Sequence, residues 1–402
     1  MHAVPDVSVI IATYNQAAYL RAAIDSVIAQ TFGDWELIVV DDGSTDGTAA
    51  IVNAFSDPRV RLIRQANQER SAARNRGTDA ATGRFLAFLD ADDFWHPMFL
   101  AELREQLIAH PQAALATCGS HTVDAQGGHI DTLPPRLPVG VGQQDALRLL
   151  LRGNQIQSCG AVLAKADAVR EVGGFDTSLR QGEDWDLWLR IAVGHPICVV
   201  DKALFYYRKQ NDFMPSKILS RGDGTVGPGI VSRALASLDP TDLGLDGPRL
   251  LAWQYLESAW LASATGDIPG RDTYLRLALH LDPRFGTDIR DGVADYLSHA
   301  AVALFAIFTP FDKGLACVNT FFHQLPGDVE ALSGLRDAVR GRYAGLHVFH
   351  AARFHVASEV RRAAGMALRY RSPHVRNRGF WSLLLRSFAP GPGSAGSPES
   401  SG

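Results

Sequence analysis

An α/β fold is predicted: a Rossmann-like, mostly parallel sheet flanked by helices, followed by an α-helical C-terminal region. Three observations carry this. Short β-rich apolar runs alternate with helical periodicity over residues 7–120, polar clusters stand at the carboxyl ends of those runs, and strand patterns vanish beyond residue 248. Val7–Ile11 reads as the first strand. In the helix expected at 17–30, Leu20, Ile24, Val27 and Ile28 share one face. Glu36–Val40 is the second strand, a helix follows at 48–55, and Phe85–Leu89 is a later strand. Near-continuous apolar strands of this kind belong to a sheet covered on both faces, and ligands of such sheets bind beyond the strands' carboxyl ends.

A chain of 402 residues calls for two or three domains. The expected division is an α/β domain at 1–213, a Gly/Pro-rich linker at 214–248, a helical domain at 249–389 and a disordered Gly/Ser/Pro tail at 390–402. Within 121–213, the runs Gly160–Ala164 and Pro196–Val200 have strand character.

The net charge of −4 argues against a nucleic-acid binder, but the average hides an asymmetry. Residues 336–386 hold eleven arginines against Asp337 and Glu359, a local +9, so the remainder carries −13. Four widely spaced cysteines, Cys118, Cys159, Cys198 and Cys317, fit neither a zinc pattern nor a disulfide framework and read as reduced, mostly buried thiols. The N-terminus lacks a secretory pattern, and the longest apolar stretch, Ala300–Phe308, is nine residues against the ~20 needed to span a bilayer. A cytoplasmic protein is expected.

The chemistry sits at the strand ends: Thr13-Tyr14-Asn15, Asp41-Asp42-Gly43-Ser44 and Asp90-Ala91-Asp92-Asp93. Carboxylates converging on one sheet edge repel one another, and a hard cation such as Mg²⁺ or Mn²⁺ relieves this while leaving room for substrate phosphates. An Asp-x-Asp alone is equally a solvated turn, and Asp41–Gly47 is equally a turn with a helix cap, Gly43 supplying positive φ and Ser44 or Asp46 the capping oxygen.

Six ordered segments go further: VSVIIATYN at 7–15, SVIAQT at 26–31, ELIVVDDGSTD at 36–46, SAARNRG at 71–77, LDADD at 89–93 and GEDWDLWLR at 182–190. Together they resemble glycosyltransferase family 2, inverting enzymes of the GT-A fold, over about residues 6–210. The resemblance implies that Asp42 accepts a hydrogen bond from the donor's base, that Tyr14 packs on that base, and that Thr13 and Asn15 shape the pocket, with Asp41 alongside. It places Arg74 and Asn75 near the nucleotide; capping and salt-bridging within the fold is the alternative for both. Asp90 faces the ribose or sugar beside Ala91, Asp92 is the direct ligand of Mn²⁺ or Mg²⁺, and Asp93 is a solvated or helix-initiating acid.

By family position Asp184 is the general base that takes the acceptor's proton, and Glu183 and Trp185 are acceptor candidates; the same acids also suit a helix N-terminus. Trp188 reads as core. Tyr207-Arg208-Lys209-Gln210 resembles the family's Tyr-Arg-x-His element with Gln210 in place of His, which leaves any phosphate contact to Arg208.

The implied partners are a nucleotide-sugar donor, UDP-sugar first and dTDP- or GDP-sugar as alternatives, and a saccharide or lipid-linked saccharide acceptor, with no nucleic acid. A sugar nucleotidyltransferase or a dinucleotide oxidoreductase is disfavoured because no Gly-rich loop follows the first strand. A catalytically degenerate nucleotide-binding scaffold is the non-enzymatic alternative. The arginine-rich end, interleaved with Phe380, Trp381 and Leu383–Leu385, reads either as peripheral contact with the inner face of a membrane or as a solvated or docking helical face.

Overall fold

The computed structural model describes residues 4–209, 225–286, 290–302, 310–353 and 356–387. Two compact units divide the chain: residues 1–212 with 220–254, and residues 213–219 with 255–402.

The first unit is built on strands β1 (Val7–Thr13), β2 (Trp35–Asp41), β3 (Val60–Arg64), β4 (Phe85–Phe88), β5 (Phe94–Trp95), β6 (Leu115–Val123), β7 (His129–Leu133), β8 (Val162–Lys165) and β9 (Ile197–Arg208). They form one sheet in the order β3-β2-β1-β4-β8-β6-β9-β5, with β7 paired to β6. Parallel pairing joins β3-β2-β1-β4 and, separately, β6 with β9; β8 runs antiparallel to both β4 and β6, so the sheet as a whole is mixed. Its helices are α1 (Ala17–Ile28), α2 (Thr48–Asn53), α3 (Glu69–Ala80), α4 (Phe99–Ala109), α5 (Gln143–Arg152), α6 (Ala166–Glu171), α7 (Glu183–Gly194) and α8 (Val226–Ala236). Helix α9 (Gly247–Thr265) contains the division between the units.

Alternation along β1 explains why both sheet faces are covered. Val7, Val9 and Ile11 join a core with Leu20 and Ile24 of α1 and Phe99 and Leu103 of α4, whereas Ile10 points into a second core with Ala73 of α3 and Leu187, Trp188 and Ile191 of α7. Each such Val, Leu, Ile or Phe side chain contributes about 1.5–3 kcal/mol by leaving water. Trp188 is core, as its spacing suggests.

Residues 225–248 depart from the linker expectation. Helix α8 buries Ile230, Val231 and Ala234 in the same core as α7. Pro228 is tolerated because it lies in the first turn, where backbone N–H groups need no helical partner. The rest of the expected linker, Gln210 and the tail at 390–402 lie outside the described residues, as does most of the Ala300–Phe308 run.

The second unit continues with α10 (Ile268–Leu281), α11 (Arg290–Val302), α12 (Phe311–Phe321), α13 (Arg336–Arg353), α14 (Ala357–Arg369) and α15 (Arg378–Arg386), and no strand occurs among its described residues. Arg271, wholly buried, donates to the carbonyls of Thr320, Phe321 and His323 and so satisfies the end of α12. The Tyr343 ring stacks on Phe311 and its hydroxyl donates to the Phe311 carbonyl at 2.8 Å. No described helix is long and apolar enough to cross a membrane. All four cysteines are free, and three are buried.

Candidate active site

The carboxyl ends of β1 and β2 are tied together by their own loops. Successive residues at a strand end point to opposite sides, so Asp41 and Asp42 part company. Asp41 is fully buried, with Oδ1 accepting the Ser44 N–H at 2.8 Å and Oδ2 accepting Arg64 Nε at 2.9 Å. It belongs to the scaffold, which corrects its expected place in the donor pocket: both of its oxygens are engaged within the fold. Asp42 presents Oδ1 to Gln65 Nε2 at 2.7 Å and to the Gln68 N–H at 2.9 Å. Its Oδ2 has no hydrogen bond among the described residues.

Gly43 makes the turn possible. Its φ is +83°, and a Cβ there would lie 2.9 Å from the Asn67 nitrogen. Tyr14 is 48% exposed. Asn15, in a left-handed conformation with φ 52°, donates its N–H to Ser44 Oγ and accepts from the Thr45 N–H, which joins the two loops. Asp46 accepts from Ala17 N–H at the start of α1 and from Thr48 N–H at the start of α2, so one carboxylate caps two helices. The buried Thr13 Oγ1 has no hydrogen-bond partner among the described residues.

At the end of β4 the organiser is Arg74 of α3. Its guanidinium is buried and reaches Asp90 at 2.6 Å and Glu183 at 2.9 Å, joining the β4 end to the first turn of α7. Burial pushes the Asp90 carboxyl up, but the Arg74 charge and hydrogen bond outweigh it and hold the group below the ordinary aspartate range. Next to this pair, Asp184 is pushed up to about 6, chiefly by burial and then by the negative charge of Glu183, with Arg74 opposing. Asp184 Oδ1 accepts the Trp185 N–H at 2.7 Å, and Asn154 Nδ2 stands 3.5 Å from Oδ2. Glu183 is closed off by Arg74 and by Arg70, 3.4 Å away, so it anchors the site and does not face an acceptor.

Asp92 is half-buried and Asp93 almost wholly buried. Asp93 is not the solvated acid expected: it accepts the Arg208 N–H at 2.8 Å. Burial, then the charges of Asp92 and Asp90, raise its carboxyl well above the usual range. Tyr207, 41% exposed, is pushed up to about 12 by burial and by the same three aspartates. Negative charge is therefore concentrated here beyond what Arg74 offsets, which is the environment a hard cation fits. Among the described residues no three His, Cys, Asp or Glu side chains gather to hold an ion unaided. The donor set that fits is Asp92 together with oxygens from a phosphorylated ligand.

Three further expectations meet a different geometry. Asn75 donates to the Phe175 carbonyl and accepts the Phe175 N–H, both at 2.8 Å, so both ends of its amide hold the segment after α6. Trp185 is 7% exposed with Nε1 on the Leu150 carbonyl, because an indole on the inner face of α7 packs with the core. Arg208 donates to the carbonyls of Asp92 and Ala125 at 2.8 Å and lies over the Tyr19 and Phe94 rings; it shapes the Asp92 turn and is not open to a phosphate. Ala91 is buried. Gln65, Gln68, Arg70 and Asn154 were not anticipated; for the first two, the polar residues of Gln65–Gln68 at the end of β3 are the same signal that marks the other strand ends.

Residues 8–173 match the model of glycosyl transferase family 2. An uncharacterized glycosyltransferase of Rickettsia prowazekii (strain Madrid E) is 30% identical over 187 residues, 46% of this chain and 58% of that protein. The succinoglycan biosynthesis protein ExoO of Rhizobium meliloti (strain 1021) is 46% identical over 104 residues, 26% of this chain and 30% of that protein. The solved mannosyltransferase of Pyrobaculum calidifontis in complex with GDP-Man and Mn²⁺ is 18% identical, with a TM-score of 0.49 over 85% of this chain and 88% of that one. The chain thus spans less than two thirds of the length of these curated relatives. Residues 8–173, the stretch that presents Asp42, Asp90 and Asp92 at one sheet edge, thus match glycosyltransferase family 2.

Proposed function

We propose that the first unit is a metal-dependent inverting glycosyltransferase that moves a sugar from a nucleotide-sugar, in the first instance a UDP-sugar, to an acceptor hydroxyl. The observation that carries this reading is Asp184, a half-buried carboxylate at the start of α7 with its proton affinity raised to about 6, beside the Arg74–Asp90 pair. Above pH 6 it is ionised, and it accepts a proton more readily than an ordinary aspartate. The acceptor oxygen attacks the anomeric carbon while its proton passes to Asp184. The bond from that carbon to the diphosphate breaks on the opposite side, which inverts the configuration.

Other residues bind and orient. Asp42 Oδ2 accepts the N3–H of uracil while Gln65 and the Gln68 N–H fix the rest of the carboxylate, and the exposed Tyr14 ring covers the base. Thr13 and Asn15 frame that pocket, and Asp90, held by Arg74, lies toward the donor sugar. A divalent cation, Mn²⁺ or Mg²⁺, when held by Asp92 and the donor's phosphates, supplies the positive charge that stabilises the departing diphosphate. The likeness to a succinoglycan biosynthesis protein supports a growing glycan or lipid-linked saccharide as acceptor.

The test is Asp184→Asn, assayed with a nucleotide-sugar panel. Transfer falls by ~10²–10⁴-fold, while thermal stabilisation by UDP-sugar and Mn²⁺ persists. Loss of nucleotide affinity instead would show that Asp184 is not the base, and donor binding without turnover in the unaltered chain would make this a binding module.

A further inference from the structure

We propose that helix α15, with the arginines around it, binds the surface of an anionic lipid bilayer. The helix is amphipathic, yet its solvent side carries apolar bulk. Phe380 and Ser387 turn inward and are buried, so the face toward the second unit is already satisfied. On the opposite side Trp381 and Leu385, one turn apart, are 44% and 71% exposed, with Arg378 beside them. Water is a poor environment for that pair.

The arginines around them lack carboxylate partners among the described residues. Elsewhere in the basic stretch, Arg340, Arg342 and Arg362 are paired with Asp337, Asp295 and Asp312. Arg369, Arg371, Arg376, Arg378 and Arg386 have no carboxylate partner among the described residues. An indole and a leucine flanked by unpaired guanidiniums match a headgroup layer: the rings and aliphatic chain enter the acyl boundary, and the arginines meet lipid phosphates. A polynucleotide would use the arginines but has no place for Leu385. This reading stands apart from the transferase assignment.

Flotation of the full chain with vesicles decides it. Binding is expected with equal parts of phosphatidylcholine and phosphatidylglycerol, and not with phosphatidylcholine alone. The double substitution Trp381→Ser with Leu385→Ser lowers partitioning by roughly tenfold or more, and Arg378→Gln with Arg386→Gln lowers it by roughly twenty- to thirtyfold. Melting temperature checks folding, and Leu385→Ser alone serves if the double variant is destabilised. No flotation, flotation indifferent to Trp381 and Leu385, or a gel shift of single-stranded RNA without flotation would each overturn the proposal.

Discussion

At the end of β2, Asp41 and Asp42 are surrounded by donors: Arg64, two backbone N–H groups and the Gln65 amide. At the end of β4 and the start of α7, Asp90, Asp92, Asp93, Glu183 and Asp184 crowd one another, and Arg74 offsets only part of the charge. In the proposed function the first region recognises the donor, through Asp42 fixed by hydrogen bonds. The second stores electrostatic tension, visible as raised proton affinity at Asp184 and Asp93, which a cationic partner or an incoming proton relieves.

The strongest way to break this contrast is Arg74→Met. Removing the guanidinium leaves Asp90 and Glu183 facing each other with only the half-exposed Arg70 as counter-charge, and a loss of about 3–5 kcal/mol in unfolding free energy is expected. Because Arg74 lowers the Asp184 carboxyl, its loss also moves the acid limb of the rate profile to higher pH in whatever folded enzyme remains. For the unaltered chain the sign is plain: with Asp184 raised to about 6, activity declines as pH falls through 6. A limb near the ordinary aspartate value would separate Asp184 from catalysis.

A smaller effect, confined to the other region, follows from Asp42→Ala. UDP affinity drops by about 1.5–3 kcal/mol, read by calorimetry, and the acid limb stays where it was. Smallest is Arg64→Gln. Arg64 is itself mostly exposed, and Asp41 keeps the Ser44 N–H, so stability changes by about 1 kcal/mol or less and UDP affinity is untouched. A shift of the pH limb by either substitution would show that the two regions act as one.

The strands, the turn glycine and the strand-end acids were legible because each depends on near neighbours: period-two burial, a positive φ at Gly43, a polar cluster after an apolar run. Their division of labour was not. Arg74 meets Glu183 across 109 positions, Asn75 meets Phe175 across 100, and Arg208 meets Asp93 across 115. Pairings at that separation leave no local trace, so Asn75 and Arg208 read as ligand contacts when the fold uses them internally. Helix α8 shows the same override, since burial of Ile230 and Val231 prevails over a Gly/Pro-rich start.

Asp46 joins the starts of two helices. Its two oxygens hold the first N–H groups of both α1 and α2, at Ala17 and Thr48, so a single carboxylate fixes where both helices begin. Its hydrogen bonds hold the carboxyl below the ordinary aspartate range, with the Thr48 hydroxyl contributing most. Those hydrogen bonds therefore persist to lower pH than the one at which Asp184, raised to about 6, takes up its proton.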